Sequence, residues 1–561
     1  MRLYTNEELF TALKELSVID PERLKAAFDE SKQLAAPLYE ILVKSDLVSD
    51  TNLGKVIADL ISYPFVDLKV IAIDESVLKV IPEVYAKAKH VIAFRKDKQG
   101  LHLAMSDPSD NQTSEFISKK VGIPVVTYYA TKRGIAEAIN LYAKDMQEVF
   151  GDIIEESVKQ AQGTKKAEPS IIKIVDTIIK YAHQNKASDV HIEPADDKSV
   201  VRFRIDGILH DIIKLPEFLH EQIVTRVKVM AKLRTDEHQS AQDGKLSARL
   251  EDENLDIRVS IVPITDGEKI VMRLLSETSR QFSLQDLGFS EADLKKVMDA
   301  YNKPHGMILA TGPTGSGKTT TLYAILKLLN KRVVNIMTIE DPVEYDIEGV
   351  NQIQVNSTTN LTFAAGLRSI VRQDPDIILV GEIRDEETAD ISINAAMTGH
   401  LVLSTLHTND AATSIPRLLD LGVEPYLVAS TVNLIIAQRL VRRICVKCRL
   451  SKEVDLASKG SIEGISETLI KKYFGENKTI RVYEGRGCDV CHDTGFTGRE
   501  GIYEVLVVDD AIREAVVKRI DANEIMKIAV SSGMETMLEN GIQKVKEGIT
   551  TLDEVLRVTK E

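Results

Sequence analysis

The chain has 561 residues, 43% of them hydrophobic and 28% charged, which is an ordinary globular composition and predicts three or four domains. Its net charge of −14 disfavours a general electrostatic grip on DNA or RNA, although a local basic groove stays compatible with it. No apolar run approaches the roughly 18–20 residues that cross a bilayer, and the first residues are not a secretory signal. We therefore expect a cytoplasmic protein that acts at membranes only through partners, without direct membrane insertion.

The first sixty residues contain a weak internal repeat with a period of 29 residues. Each copy has the apolar spacing of two short helices, which predicts a small helical bundle. Residues 63–143 alternate β-rich runs with helical stretches and hold no catalytic constellation. We expect an amino-terminal docking or regulatory domain over residues 1–145, with a helical part and an α/β part. The repeated apolar residues are Leu9, Leu13, Val18, Ile19, Leu24 and Phe28, then Leu38, Leu42, Leu47, Val48, Leu53 and Ile57.

Residues 146–169 are rich in charge and Gln and lose apolar periodicity toward their end, which predicts a linker. An amphipathic helical pattern follows from Ile171 onward, and the alternating runs 200–205 and 257–263 are typical of strands. We expect a separate α+β domain over residues 170–280.

A phosphate-binding loop is the most specific motif of the chain. Residues 312–319 fit the pattern G-x-x-x-x-G-K-[ST], between an apolar run that predicts a strand and an apolar spacing that predicts a helix. Glycines let the backbone wrap around phosphates, and the next helix turns its positive end toward them. Lys318 would reach the outer phosphates, and Thr319 would offer its hydroxyl to Mg²⁺. An ordinary glycine-rich turn is the alternative. The predicted nucleotide-binding residues are Gly312, Pro313, Thr314, Gly315, Ser316, Gly317, Lys318, Thr319 and Thr320.

An acidic turn follows the next apolar strand. Glu340, Asp341 and Glu344 lie within five residues of one another there. Beside a phosphate-binding loop, such carboxylates can orient an attacking water or hold Mg²⁺ through water. A solvated turn is the alternative interpretation.

A third apolar strand, residues 376–380, delivers Glu382 near its tip. It is like a Walker B strand, except that Gly381 takes the first position of the usual acidic pair and leaves Glu382 as the sole carboxylate.

His400 and His407 flank the following apolar strand. There they suit a sensor that reads the γ-phosphate or links it to neighbouring elements, and neutral hydrogen-bonding roles are the alternative.

The four cysteines form two C-x-x-C pairs that are 39 residues apart. Two such knuckles can complete a tetrahedral zinc site with four thiolates, and this spacing predicts an insertion over residues 445–491 that is pinned at its base. Scattered thiols are the alternative. We expect His492 to be a bystander, because four thiolates already fill the coordination shell. The predicted zinc ligands are Cys445, Cys448, Cys488 and Cys491.

These segments together resemble the secretion ATPase superfamily that powers type II secretion and type IV pilus assembly, the GspE/PilB-type proteins. The resemblance covers residues 170–561 strongly and the first 145 residues loosely. The resemblance rests on several motifs in the ATPase part of the chain and on two segments ahead of it. They are the phosphate loop, the acidic box Thr338–Glu344, the Walker B-like stretch Asp374–Asp385, the histidine box Thr398–Asn409, the stretch Ala437–Arg443 before the cysteines and the segment Gly487–Glu504, and, ahead of the loop, Ala187–Pro194 and Arg202–Gly207.

The resemblance implies an α/β fold in which a RecA-like P-loop ATPase domain, residues 287–561, follows an α+β (PAS-like) domain. It implies a homo-hexameric ring with ATP, Mg²⁺ and Zn²⁺ as cofactors. Lys318 and Thr319 would hold phosphates and Mg²⁺, and Glu382 would support that magnesium.

The resemblance also implies roles for the remaining candidate catalytic residues. Glu344 is the preferred base that orients water, with Glu340 and Asp341 as rivals. Both histidines match the family's histidine box. Arg204 and Arg226 are the arginines best placed by motif to neutralise transition-state charge.

Retraction motors of the superfamily generally lack both the long amino-terminal region and the tetracysteine insertion. The resemblance therefore implies an assembly motor that polymerises pilin at the inner membrane, with platform and cytoplasmic assembly subunits as partners. Type II secretion through pseudopilus assembly is the close alternative. A DNA translocase and a nucleotide-binding scaffold with little turnover are more distant ones, and no nucleic-acid partner is expected. Some relatives bind cyclic di-GMP through an Arg-Leu-Gly signature, which residues 36–42 lack.

Overall fold

The structure is a computed structural model, and it describes residues 3–16, 19–34, 36–44, 47–68, 71, 73–139, 169–195, 198–250, 254–275, 283–455, 467–475, 479–491 and 493–560. The predicted linker, apart from Pro169, and His492 lie outside these residues. Within the described part of the chain, no helix is both long and apolar enough to cross a membrane. The chain divides into two compact units, which are Met1–Ser62 with Phe282–Glu561, and Tyr63–Gln281.

The amino-terminal repeat folds as predicted, because each copy forms two helices. Asp20 caps the second helix by accepting hydrogen bonds from the backbone N–H groups of Glu22 and Arg23. Ser49 caps the fourth helix by accepting from Asn52. Most of the repeated apolar residues are buried. The helices are α1 (Asn6–Leu16), α2 (Pro21–Gln33), α3 (Leu38–Lys44) and α4 (Asp50–Leu60).

Residues 63–139 form a small α/β part with its own apolar core. Its first two strands pair antiparallel, and the second and third pair parallel. The elements are α5 (Glu75–Leu78), α6 (Glu83–Lys89), β1 (Val91–Asp97), β2 (Gly100–Met105), α7 (Asn111–Val121), β3 (Val125–Tyr129) and α8 (Lys132–Ile139).

The α+β domain predicted after the linker is a six-stranded antiparallel sheet with two helices. Its strand order is β6-β5-β4-β9-β8-β7, and both helices share an apolar core with the sheet. The elements are α9 (Pro169–Gln184), β4 (Asp189–Ala195), β5 (Lys198–Ile205), β6 (Ile208–Pro216), α10 (His220–Met230), β7 (Gln242–Arg249), β8 (Asn254–Ile264) and β9 (Gly267–Leu275).

The phosphate-loop domain is built on a seven-stranded sheet. Up to the first cysteine its elements are α11 (Glu291–Tyr301), β10 (Gly306–Thr311), α12 (Lys318–Leu329), β11 (Ile336–Glu340), β12 (Asn351–Gln354), α13 (Phe363–Ile370), β13 (Ile377–Val380), α14 (Glu386–Met397), β14 (Leu401–Leu406), α15 (Ser414–Asp420), α16 (Pro425–Thr431) and β15 (Val432–Ile444).

The cysteine-bounded insertion contains a separate two-stranded antiparallel sheet. Its elements are β16 (Arg449–Asp455), α17 (Glu467–Phe474) and β17 (Thr479–Gly485). The chain then returns to the main sheet and ends in four helices. These elements are β18 (Phe496–Val507), α18 (Asp510–Val517), α19 (Ala522–Ser531), α20 (Met537–Lys546) and α21 (Leu552–Thr559).

The main sheet has the order β12-β11-β13-β14-β10-β15-β18, with six parallel strands and β18 antiparallel at the edge. Strands β10, β13 and β14 are buried along their whole length, since helices cover both faces of a parallel sheet. β14 lies between β10 and β13 and pairs with both. The carboxyl ends of parallel strands meet at one edge, so the phosphate loop, Glu382 and His407 all lie at the same edge of the sheet.

Candidate nucleotide-binding and catalytic site

The phosphate loop connects the buried strand β10 to helix α12, as the motif predicts. Gly317 is the last residue before the helix, with a φ of 91° that favours glycine. Gly312 has a φ of 141°, and a Cβ there would lie 2.5 Å from the carbonyl oxygen of Gln438. The helix therefore begins inside the loop, with its free N–H groups and positive dipole end available to an anion.

Lys318 lies across this loop. Its Nζ donates to the carbonyl oxygens of Gly312, at 2.8 Å, and Pro313, at 3.1 Å. Burial lowers the pKa of Lys318, the positive charge of Arg439 lowers it further, and the carboxylate of Glu382 opposes both. The Lys318 ammonium therefore interacts electrostatically with both Arg439 and Glu382.

Ser316 gives an independent indication that the loop fits a phosphate group. Its side chain is buried, and its Oγ has no hydrogen-bond partner among the described residues. A buried hydroxyl without a partner costs free energy, so a ligand oxygen that accepts from it would remove that cost. Thr319 and Thr320, at the start of α12, are partly exposed. The first of these occupies the position from which a P-loop threonine reaches Mg²⁺.

Glu382 lies two residues beyond β13, and its side chain is 11% exposed. It accepts from Nη2 of Arg384 at 2.8 Å and lies 3.1 Å from Nε2 of His407. The hydroxyl of Thr405 donates to the carbonyl of Gly381 at 2.8 Å, which fixes the end of β13 against β14. The pairing of these strands brings Glu382 and His407 together.

His400 lies at the opposite end of β14. Its Nδ1 is 2.8 Å from the carbonyl oxygen of Ala395, and its own carbonyl accepts from the N–H of Gly306 at 3.1 Å. The strand between the two histidines spans about 20 Å. Within one chain, the structure therefore places His407, but not His400, at the edge of the sheet that carries the phosphate loop.

The three carboxylates of the acidic box have different surroundings. Glu340 ends β11 and is buried, 3% exposed, where it accepts hydrogen bonds from Tyr323, Thr338 and Gln352. Burial and this carboxylate raise the pKa of Tyr323 above its usual range. Through these hydrogen bonds, Glu340 links the end of β11 to helix α12 and strand β12.

The other two carboxylates of the box are more accessible. Asp341 is exposed and Glu344 is partly buried. The backbone N–H of Glu344 hydrogen-bonds the hydroxyl of Tyr323, which anchors the start of this turn to α12. Of the three predicted bases, Glu344 therefore combines partial burial with an anchored backbone.

The two predicted arginines lie in the other compact unit. Arg204, on β5, donates to the carbonyl of Gly207 at 3.0 Å and pairs with Asp189 at 3.6 Å. Arg226, on α10, is partly buried, and its Nε has no hydrogen-bond partner among the described residues.

Sequence analysis assigned no role to two side chains that lie beside the phosphate loop. Gln438 and Arg439, in the middle of β15 and just beyond the segment that pairs with β10, are 1% and 5% exposed. The amide of Gln438 bonds the loop at Ser316, and Nη1 of Arg439 would lie 3.2 Å from a Cβ on Gly312. Both residues belong to the sequence motif Ala437–Arg443, but the sequence alone does not show that this strand contacts the phosphate loop.

The four cysteines converge, as their spacing predicts. All four Sγ atoms lie within 4.8 Å of one another. The distance is 3.8 Å between Cys445 and Cys488, 3.8 Å between Cys448 and Cys491, and 3.6 Å between Cys488 and Cys491. A tetrahedron with Zn–S bonds of about 2.3 Å has sulfur–sulfur edges of about 3.8 Å, so the cluster fits a zinc ion.

Comparison with known proteins gives the family. The profile of the type II/IV secretion system protein family matches residues 164–557, and that of the MshEN domain matches residues 61–149. The type IV pilus assembly ATPase PilB of Myxococcus xanthus is 38% identical over 556 residues, 96% of both chains. The type II secretion system protein E of Xanthomonas campestris pv. campestris is 40% identical over 538 residues, 93% of both chains.

A solved structure supports the fold. The ATPase DotB of Legionella pneumophila matches with a TM-score of 0.51 and 19% identity, over 71% of this chain and 97% of DotB. This likeness concerns the fold alone, and it agrees with the expected P-loop ATPase domain that follows an α+β domain. The chain belongs to the type II/IV secretion system family of ATPases.

Proposed function

We propose that the protein is a Mg²⁺-dependent motor that hydrolyses ATP to drive type IV pilus assembly from the cytoplasmic side of the inner membrane. One observation carries the catalytic part of this proposal. Lys318 of the phosphate loop interacts electrostatically with Glu382, and His407 contacts the same carboxylate. A phosphate-binding cation, a candidate magnesium carboxylate and a candidate sensor therefore lie at one edge of the sheet.

The residues divide the hydrolysis between them. Backbone N–H groups of the loop and Lys318 hold the phosphates, Thr319 and Glu382 support Mg²⁺, and Glu344 orients the attacking water. His407 senses the γ-phosphate through Glu382. Arg204 or Arg226 neutralises the charge that develops in the transition state, a role that can be worth roughly 10³–10⁵ in rate.

The proposed assembly and partners are those that the resemblance to secretion ATPases implies. Six chains form the ring, and the amino-terminal domain docks on the membrane platform and cytoplasmic assembly subunits of the pilus machine. Zinc in the tetracysteine cluster is structural, because four thiolates leave no position open for a substrate.

Type II secretion is the second candidate function, and a specific observation favours it. The relatives that are named for pilus assembly and for type II secretion match nearly the whole chain at 38% and 40% identity. The same chemistry would then drive a pseudopilus rather than a pilus.

Hydrolysis of ATP by the purified, size-fractionated protein tests the enzymatic part. We expect Mg²⁺-dependent activity in a ring-sized fraction, its loss in Lys318→Ala, and no stimulation by DNA. DNA stimulation would favour a translocase, and a wild-type protein that is inactive in every fraction would contradict the motor. Introducing Lys318→Ala into the host's own gene separates the two machines: loss of surface pili supports pilus assembly, whereas intact pili with loss of secreted proteins supports type II secretion.

A further inference from the structure

Gln438 connects the phosphate loop to the sheet from a strand that enters the domain more than a hundred residues later. Its side chain is 1% exposed. Nε2 donates to the carbonyl oxygen of Ser316, 122 residues away, at 2.7 Å. Oε1 accepts from the hydroxyl of Thr321, in the first turn of α12, at 2.8 Å. The carbonyl of Ser316 fixes which end of the amide faces the loop, since only the NH₂ group can donate to it, and the Thr321 hydroxyl pairs with the remaining amide oxygen.

This contact sets the orientation of one peptide group in the loop. In a trans peptide, the C=O and the N–H point in opposite directions. With the carbonyl of Ser316 held toward β15, the N–H of Gly317 points away from Gln438. Backbone N–H groups with that orientation are the donors that cradle phosphates.

The approach is close enough to restrict the residue at position 317. A Cβ on Gly317 would lie 3.0 Å from Nε2 of Gln438, and its φ of 91° also favours glycine. Gly317 thus lets the amide reach the carbonyl, and the amide holds the peptide in place.

We propose that Gln438 is a positioning residue for nucleotide binding, which holds the Ser316–Gly317 peptide with its N–H directed at a phosphate of a bound nucleoside di- or triphosphate. The inference rests on the proposed ATP binding. It adds a residue, outside the loop motif itself, that prepares the loop for its ligand.

Asn433 provides a matched control on the same strand. It is also buried, 6% exposed, and its Nδ2 donates to the backbone carbonyl of His305 at 3.0 Å. It lies at the start of β15, away from the loop. Asn433→Asp and Gln438→Glu therefore each remove one buried amide-to-carbonyl hydrogen bond, and only the second change touches the loop.

The test is the dissociation constant for Mg·ADP on the full-length protein, with the melting temperature of the nucleotide-free protein measured in parallel. We expect Gln438→Glu and the uncharged Gln438→Met to weaken binding about tenfold, the cost of one misplaced donor. Asn433→Asp, whose carboxylate would face Nζ of Lys303, should bind as the wild type does. Thr321→Val, which removes the hydroxyl that holds Oε1 of Gln438 and also contacts Tyr503, should weaken binding by about threefold.

Wild-type affinity in Gln438→Met would overturn the inference, as would equal effects of Gln438→Met and Asn433→Asp on both readouts. If Gln438→Met does not fold, Thr321→Val decides, and unchanged binding there overturns the inference. A wild-type protein that binds no Mg·ADP would instead refute the proposed function, so the two failures are distinguishable.

Discussion

Nε2 of His407 lies 3.1 Å from Oε2 of Glu382, although 25 residues separate them in the chain. The parallel pairing of β13 and β14 creates this contact, because it places Val380 beside Ser404 and lets both chain segments leave the sheet at the same edge. The same carboxylate acts electrostatically on Lys318 of the phosphate loop.

We expect His407→Ala to lower kcat for ATP hydrolysis by roughly tenfold to a hundredfold, with KM for ATP changed by less than about twofold. The physical reason is the role proposed for the histidine, which is to orient Glu382 during the reaction rather than to hold the nucleotide. Steady-state kinetics on the ring-sized fraction measures both constants.

His400→Ala is the control for this prediction. His400 caps the end of α14 through the carbonyl of Ala395, so its loss should lower the melting temperature and leave kcat within about twofold. Equal losses of kcat in the two variants would contradict the separate roles given to the two histidines.

Substitutions at the three carboxylates of the acidic box should likewise distinguish a catalytic role from a structural one. Glu344→Gln should lower kcat by at least about a hundredfold while ATP still binds, because the water-orienting base is lost. Glu340→Gln should instead destabilise the domain by about 1–3 kcal/mol, since an amide cannot accept from Tyr323 and Thr338 as a carboxylate does. Asp341→Asn, at an exposed position, should change neither quantity. Full hydrolysis by Glu344→Gln would assign the base to another residue.

Much of this site follows from sequence. Buried parallel strands appear as short apolar runs, and a functional residue just after such a run lies at the carboxyl edge of the sheet. This rule, applied to residues 307–310 and 376–380, correctly places the phosphate loop and Glu382 at one edge. The helical repeat and the convergence of the cysteines were predictable too, because both depend on spacing.

Contacts between remote segments were not predictable in this way. His400 and His407 flank one strand, and only the pairing of β14 shows which of them lies at the phosphate edge. Glu340 ends a strand like a catalytic acid, and its burial depends on Tyr323 and Gln352, which come from two other elements. Gln438 acts through a strand pairing, β10 with β15, that no local pattern encodes.

A buried ion-pair cluster near the carboxyl end should make stability depend on pH. Glu554, 4% exposed, accepts from Nη2 of Arg557 at 2.9 Å and from the backbone N–H of Arg442 at 3.2 Å. Burial alone would raise the pKa of Glu554, but hydrogen bonds and charges of the two arginines outweigh it and lower the pKa to about 2.

The stabilising contribution of Glu554 is thus fully present above its unfolded pKa of 4.5 and is lost as the pH falls through about 2. Glu554→Gln should cost about 2 kcal/mol at pH 7, or roughly 5 °C in melting temperature. The difference from wild type should narrow as the pH falls below about 4.5. Glu524→Gln, which breaks an exposed pair with Lys527, should show no such difference at any pH. A constant gap for Glu554→Gln down to pH 3 would exclude the ionised pair as its cause.

Zinc removal should separate the stability of the insertion from the chemistry of the nucleotide site. The cysteines lie where β15 ends and just before β18 begins, so one ion would tie both ends of the insertion to the main sheet. We expect one zinc ion per chain by elemental mass spectrometry, and its loss in Cys488→Ser, together with a lower melting temperature. Reloading chelator-treated wild type with Zn²⁺, but not Mg²⁺, should restore the melting temperature, because thiolates bind soft cations in preference to hard ones. A reduced protein that is free of metal as purified, and that melts as Cys488→Ser does, would show that packing alone holds the cluster together.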